Sequence, residues 1–228
     1  RLLRRGLRLA VTTPALVPKV PDSYGLPAEG VGVLPNIIEP CHGAPAKAPR
    51  PVVAFLARLD PYKRPWLMVE LARRFPDVDF VVMGKRHFSG PGAWEPGDLP
   101  PNIRMLGHVD EPEKRAELER AWLLLNTSIH EGLAVSYLEA LAHEAPLISC
   151  VDTEGLATKF GRAIDRHPGD GIDALPAFET ALREMLSDHA LRSRLGREGR
   201  AWVESTHSRE AFLEAFFDHA AALGVRRA

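Results

Sequence analysis

The chain has 228 residues, with 29 Lys and Arg against 30 Asp and Glu, a formal net charge of −1. That balance gives no electrostatic argument for a nucleic-acid or acidic-membrane partner, and no apolar run approaches the ~20 residues of a membrane span. Hydrophobic residues at 45% and charged residues at 26% are those of an ordinary globular chain, long enough for one large domain or two small ones.

In chain order, the basic opening RLLRRGLRL is too short, and too soon followed by prolines, to anchor at a membrane surface. Leu7 to Thr13 reads as a strand, after which Pro14, Pro18 and Pro21 break the chain repeatedly. Val31 to Leu34 is a second short strand, and residues 40–50, PCHGAPAKAPR, form a Pro- and Ala-rich connector. Two short strands with a poor helix between them cannot bury a core alone. Val52 to Ala57 is continuously apolar, as a buried parallel strand is. Arg58, Asp60 and Lys63 follow in a loop, and Pro65 opens a helix reaching Phe75. Asp79 to Met83 is the next strand, ending at Gly84. Lys85, Arg86 and His87 read as a solvated loop, and residues 89–101, SGPGAWEPGDLPP, as a surface loop. Ile103 to Leu106 is another strand, closed by Gly107-His108-Val109, and Glu113 to Arg120 a short charged helix.

Residues 121–150 organise the rest. Trp122 to Asn126 is a strand, Thr127 to Gly132 a polar loop, Leu133 to His143 an amphipathic helix stopped before Pro146, and Leu147 to Cys150 a strand. This is a parallel βαβ unit. Glu131 and Glu139 stand eight residues apart, so both carboxylates can face one crevice. The amides of Leu133 to Val135 open the helix and suit an anion. Two surface glutamates on an amphipathic helix would show the same pattern, and Arg58 and Lys63 alone read equally as solvated bases. Beyond Cys150 come the turn Asp152 to Gly155, a loop at Arg166 to Gly171, and helices at Leu175 to Leu186, His189 to Glu204 and Arg209 to Leu223. Cys41 and Cys150 fit neither a disulfide framework nor a zinc spacing, so both read as reduced thiols in a cytoplasmic protein. Alternating strands and helices from 52 to 150 predict an α/β fold, a Rossmann-like parallel sheet flanked by helices. No Gly-x-Gly-x-x-Gly, P-loop or Gly-x-Ser-x-Gly run supports a dinucleotide, NTPase or hydrolase site.

Three ordered motifs, Arg58…Lys63 in ARLDPYKRP, Leu106-Gly107-His108-Val109, and Glu131…Glu139 in HEGLAVSYLEALAHEAPLIS, resemble the retaining GT-B glycosyltransferases of family 4 (group 1). Tyr24-Gly25-Leu26-Pro27 and Val33-Leu34-Pro35-Asn36 resemble the tail of that family's N-terminal, acceptor-binding domain. The resemblance implies four parts: that tail at 1–38, a linker at 39–50, a nucleotide-sugar-binding Rossmann-like domain at 51–205, and a helix at 206–228 crossing back toward the N-terminal domain. It also implies that most of the N-terminal domain lies elsewhere, in a missing segment or a partner chain. The implied reaction moves a sugar from a nucleoside-diphosphate sugar to an unidentified acceptor hydroxyl with retention, and needs no cofactor or metal. The implied catalytic residues are Arg58 and Lys63, which hold the diphosphate, and Glu131, which holds the donor sugar. Donor binding falls to Gly107 and His108 at the base, Gly132, Leu133, Ala134 and Val135 at the helix start, and Glu139 at the ribose. Gly155 is a further candidate in a glycine-bearing loop. Leu133-Ala134 departs from the family's small, glycine-containing run. A non-catalytic nucleotide- or sugar-binding module, or an NDP-sugar epimerase-like protein, are the alternatives.

Overall fold

The structure is a computed structural model that describes residues 8–222, so most of the basic opening and the expected helix end at Leu223 lie outside the described residues. Six parallel strands form the main sheet: β3 (Val52–Leu56), β4 (Asp79–Met83), β5 (Ile103–Gly107), β6 (Leu123–Asn126), β7 (Leu147–Ser149) and β8 (Gly161–Ala163), in the order β5-β4-β3-β6-β7-β8. The first two strands, β1 (Ala10–Val11) and β2 (Gly32–Val33), make a separate parallel pair. The main order is that of a doubly wound Rossmann sheet, with its switch point between β3 and β6, where connections leave in opposite directions.

Both faces of this sheet are covered, which is why its inner strands, β3, β4, β6 and β7, read as apolar runs. Val53, Phe55, Phe80, Val82, Leu123 and Leu125 face one core, under α2 (Pro65–Arg74) and α6 (Leu175–Ser187). Val52, Ala54, Val81, Met83 and Leu124 face the other, under α3 (Glu111–Arg120) and α4 (Val135–Ala142). The proline-broken stretch holds a 3-10 turn, Pro14–Lys19, and a single α-turn, α1 (Val20–Tyr24).

Two elements differ from the sequence expectation. The organising helix starts at Val135, not Leu133, because Ala134 is extended (φ −69°, ψ 117°) and the chain before it is held by side-chain bonds to Glu131. The sixth strand, β8, has no apolar run to announce it. It pairs through backbone alone, Leu147 against Gly161, and a Cβ at Gly161 would stand 1.8 Å from the Leu147 carbonyl oxygen. A short helix, α5 (Leu156–Lys159), precedes it. Near the end, α7 (His189–Thr206) packs against α4, and α8 (Arg209–Ala221) packs on β2, where the His219 ring covers Gly32.

The connector is also packed. Lys47 donates to the carbonyls of Ala121 at 2.7 Å and His143 at 2.6 Å, and Ala48 and Cys41 are buried. Among the described residues no helix is long and apolar enough to cross a membrane.

Candidate functional site

Loops at the carboxyl ends of β3 and β6 meet at the switch point. Gly84 makes the close approach behind them: its φ is +147°, and a Cβ there would lie 1.9 Å from the Ala57 carbonyl oxygen. The loop after β6 is tied to the loop after β3 by three bonds. Thr127 Oγ1 donates to the carbonyls of Lys63 at 2.5 Å and Arg64 at 3.0 Å, and the Ile129 amide donates to the Tyr62 carbonyl at 2.8 Å.

This double tie delivers Lys63 to Glu131. Lys63 Nζ lies 2.5 Å from Glu131 Oε1, with the side chains only 16% and 11% exposed. The same carboxylate oxygen accepts from Ser128 Oγ at 2.6 Å and Asn126 Nδ2 at 3.3 Å. Arg58 is exposed and turns back to Asp60, its Nε 3.3 Å from Oδ2. Glu139, one turn along α4, accepts from Lys114 Nζ at 2.5 Å, and Lys114 also donates to Glu111 at 2.5 Å. Burial raises the Glu139 pKa although Lys114 opposes it. Lys114 loses by burial but gains more from its two carboxylates, so its pKa is raised too. For one ion pair these shifts pull in opposite senses. The lysine's is the better founded, since two carboxylates hold its charge.

A cavity of about 380 Å³ brings these groups together. Arg58, Lys63, His108, Glu131 and Glu139 line it, with Leu133, Ala134 and Val135 at the amino end of α4, where Ala134 has no side chain to cap the first amides. Gly107 and Gly132 stand behind the wall. Gly107 takes φ +71° and its carbonyl accepts the Gly84 amide at 2.6 Å, while Gly132 faces Leu16 of the N-terminal segment. Gly155 lies in the turn after β7, outside the lining.

A second cavity, about 460 Å³, continues past Glu139 and Val135 between Ile38, Glu111, Lys114 and His143. The His143 ring is 4% exposed; its Nδ1 pairs with the Glu139 carbonyl at 2.7 Å, and its Nε2 is buried with no partner among the described residues. Sequence reading did not single out Lys114, Glu111, Ser128 or Asn126. Lys114 carries a partial signal, standing one turn after Asp110, which caps α3 by accepting the Glu113 amide at 3.0 Å.

Fold and site together define the Rossmann-like, doubly wound half of a GT-B glycosyltransferase fold, with a charged crevice at its switch point. The chain belongs to the group 1 glycosyl transferases, whose family model matches residues 43–202. It is 24% identical over 204 residues to the poly(ribitol-phosphate) α-N-acetylglucosaminyltransferase of Staphylococcus aureus (strain COL), covering 83% of this chain and 39% of that protein. The chain thus spans about two-fifths of the curated relative it matches. Among solved structures, a mutant of S. aureus TarM in complex with fondaparinux, α-GlcNAc-glycerol and UDP superposes with a TM-score of 0.71 at 19% identity, over 92% of this chain and 43% of that one. Sucrose-phosphate synthase of Thermosynechococcus elongatus gives 0.73 at 17% identity, over 95% and 58%. These structures are similar to this chain in fold.

Proposed function

We propose that this chain is the donor-binding part of a retaining, family 4 GT-B glycosyltransferase that carries a sugar from a nucleoside diphosphate to an acceptor hydroxyl. The observation that carries the reading is one cavity at the switch point, where three cations, Arg58, Lys63 and Lys85, two carboxylates and the open end of a helix converge. A diphosphate suits Arg58, Lys63 and the first amides of α4: a forked guanidinium, an ammonium and unpaired amide dipoles all answer anionic oxygens. Lys63 would leave Glu131 for the phosphate, freeing the carboxylate to accept from sugar hydroxyls. Glu139, already half-buried and lysine-held, would accept from the ribose hydroxyls, and the base would lie near Gly107 and His108, at the first cavity's wall.

In the reaction, the bond from the anomeric carbon to the β-phosphate oxygen breaks and a bond from that carbon to the acceptor oxygen forms on the same face. The acceptor's proton passes to the departing phosphate oxygen. Arg58 and Lys63 stabilise the negative charge that grows there. The chemistry asks for no metal or cofactor. In this reading residues 1–38 are the tail of the acceptor domain, 39–50 the linker, 51–205 the nucleotide-sugar domain, and 206–228 the returning helix. A cytoplasmic location is part of this reading; the free, buried thiols Cys41 and Cys150 suit a reducing compartment.

Calorimetric titration with UDP, GDP and ADP tests this. One nucleotide should bind, and Glu139→Ala and Arg58→Ala should each weaken it about ten- to a hundredfold, the loss of a charge-assisted hydrogen bond of roughly 1.5 to 3 kcal/mol. Failure of all three to bind, or affinity indifferent to both changes, would sink the reading.

A further inference from the structure

A third cavity, about 620 Å³, shares Arg58 and His87 with the first and lies between the loops after β3 and β4. Asp60 builds it. This residue is 7% exposed; its Oδ1 accepts the amides of His87 at 3.2 Å and Phe88 at 3.1 Å, and its Oδ2 faces Arg58 Nε at 3.3 Å. One carboxylate therefore fixes both walls against each other.

Two aromatic rings on those walls are left in water. Tyr62 is 67% exposed and Phe88 44%. The backbone that carries each ring is anchored, Phe88 by its amide to Asp60 at 3.1 Å. The Tyr62 carbonyl accepts the Ile129 amide, which couples it to the loop that carries Glu131. The Phe88 ring lies over Gly90, where a Cβ would come within 2.8 Å of it, so any other residue there would displace the ring. Large apolar faces kept exposed, held in place and rimmed by charge mark a binding surface.

We propose that this cavity is a saccharide subsite that takes a pyranose ring of the acceptor, beside the donor pocket; the assignment rests on the donor reading above. A pyranose presents C–H groups on one face, which suit an aromatic ring, and hydroxyls around its rim, which suit Arg58 and His87. An acyl chain would match the rings but would strip water from Arg58 and Asp60 without replacing its hydrogen bonds. The shared Arg58 also sets the location. A ring held here stands next to the diphosphate's leaving oxygen, where an acceptor hydroxyl has to be presented. His87, Phe88, Pro91 and Gly92 close the cavity; sequence reading put His87 in a solvated loop and Pro91 and Gly92 in the surface loop 89–101.

Saturation-transfer NMR of the protein with methyl α-D-glucopyranoside and methyl N-acetyl-α-D-glucosaminide, run with the binding nucleotide at saturation, tests the subsite. At least one glycoside should receive transfer at its ring C–H protons with the nucleotide in place. Tyr62→Ala and Phe88→Ala should each weaken glycoside binding about two- to tenfold, the range of one lost aromatic contact, and leave nucleotide affinity unchanged. Nucleotide binding without transfer to either glycoside, or transfer equal in wild type and both variants, would overturn the subsite while the donor reading stands. Absence of binding by all three nucleotides overturns the donor reading, and the acceptor assignment with it.

Discussion

The Lys47 ammonium sits between the Ala121 and His143 carbonyls, which are the C-terminal caps of α3 and α4. A cation there meets the negative ends of two helices and satisfies carbonyls that neither helix can pair. Burial nevertheless dominates and pushes its pKa down to about 8. The unfolded chain keeps its proton up to the ordinary 10.5, so between these values the unfolded state binds more protons and stability rises with pH. Below about 8 both states are charged and the burial cost stands in full. Urea unfolding at pH 7.5 and 10 should show wild type gaining about 2 kcal/mol on Lys47→Met, after allowance for partial solvent access. A difference independent of pH would show that the ammonium is not the group responsible. In the sequence Lys47 is one base in a Pro- and Ala-rich connector, and nothing local marks it, because both acceptors come from residues about a hundred positions away or less in other elements. Glu131 and Glu139 were legible for the opposite reason: their spacing along one loop and helix is local, and the cavity does bring them together.

Between elements, the contact of α4 with α7 turns on two glycines. A Cβ at Gly196 would stand 2.7 Å from the Glu144 carbonyl oxygen, a backbone atom that cannot swing aside. At Gly199 it would meet Leu141 Cδ2 at 2.6 Å, the end of a side chain that can. In a free helix Gly→Ala gains about 1 kcal/mol. Here overpacking opposes that gain, at about 1 to 3 kcal/mol. Gly196→Ala should therefore lower Tm, and Gly199→Ala should lower it less or leave it unchanged, as calorimetry would show; the reverse ranking would mean that the helix backbones, not the side chains, yield. The four inner strands, β3, β4, β6 and β7, were readable because burial on both faces makes each an apolar run, and the edge strand β5 was readable from Ile103, Met105 and Leu106 despite an exposed Arg104. The sixth, β8, was not: Gly161 and Arg162 carry no strand signature, and a glycine is needed for backbone approach to Leu147. The start of α4 was misplaced by two residues because Leu133 and Ala134 fit a helical pattern while the loop's tie to Glu131 keeps them out of the helix, with Ala134 extended, a tertiary constraint that periodicity cannot express.

Across the whole molecule, the order of motifs along the chain and the strand order of the sheet agree: the loops that carry Arg58, Lys63 and Glu131 are the two that part at the switch point. The N-terminal segment joins the same body, with the Thr13 hydroxyl donating to Glu154 and the Ile38 amide to the His207 carbonyl at 2.9 Å. Leu213 and Phe216 on α8 stay 39% and 44% exposed. What the sequence does not display is how the site's charges settle among themselves. Three cations of the crevice already have a carboxylate: Arg58 has Asp60, Lys63 has Glu131, Lys114 has Glu139; Lys85 lines it with no ion pair among the described residues. Before anything binds, the crevice is mostly closed dipoles, with Lys85 the exception, on a chain of net charge −1, and it casts little positive field into solution. A nucleotide arriving here would not be drawn in from a distance. It would find the site by plain diffusion and only then exchange places with the carboxylates. Its association rate, followed by stopped flow, should change less than about threefold between 20 and 300 mM salt, since screening has no long-range attraction to remove. A steep fall with salt would mean that these pairs open in the free protein.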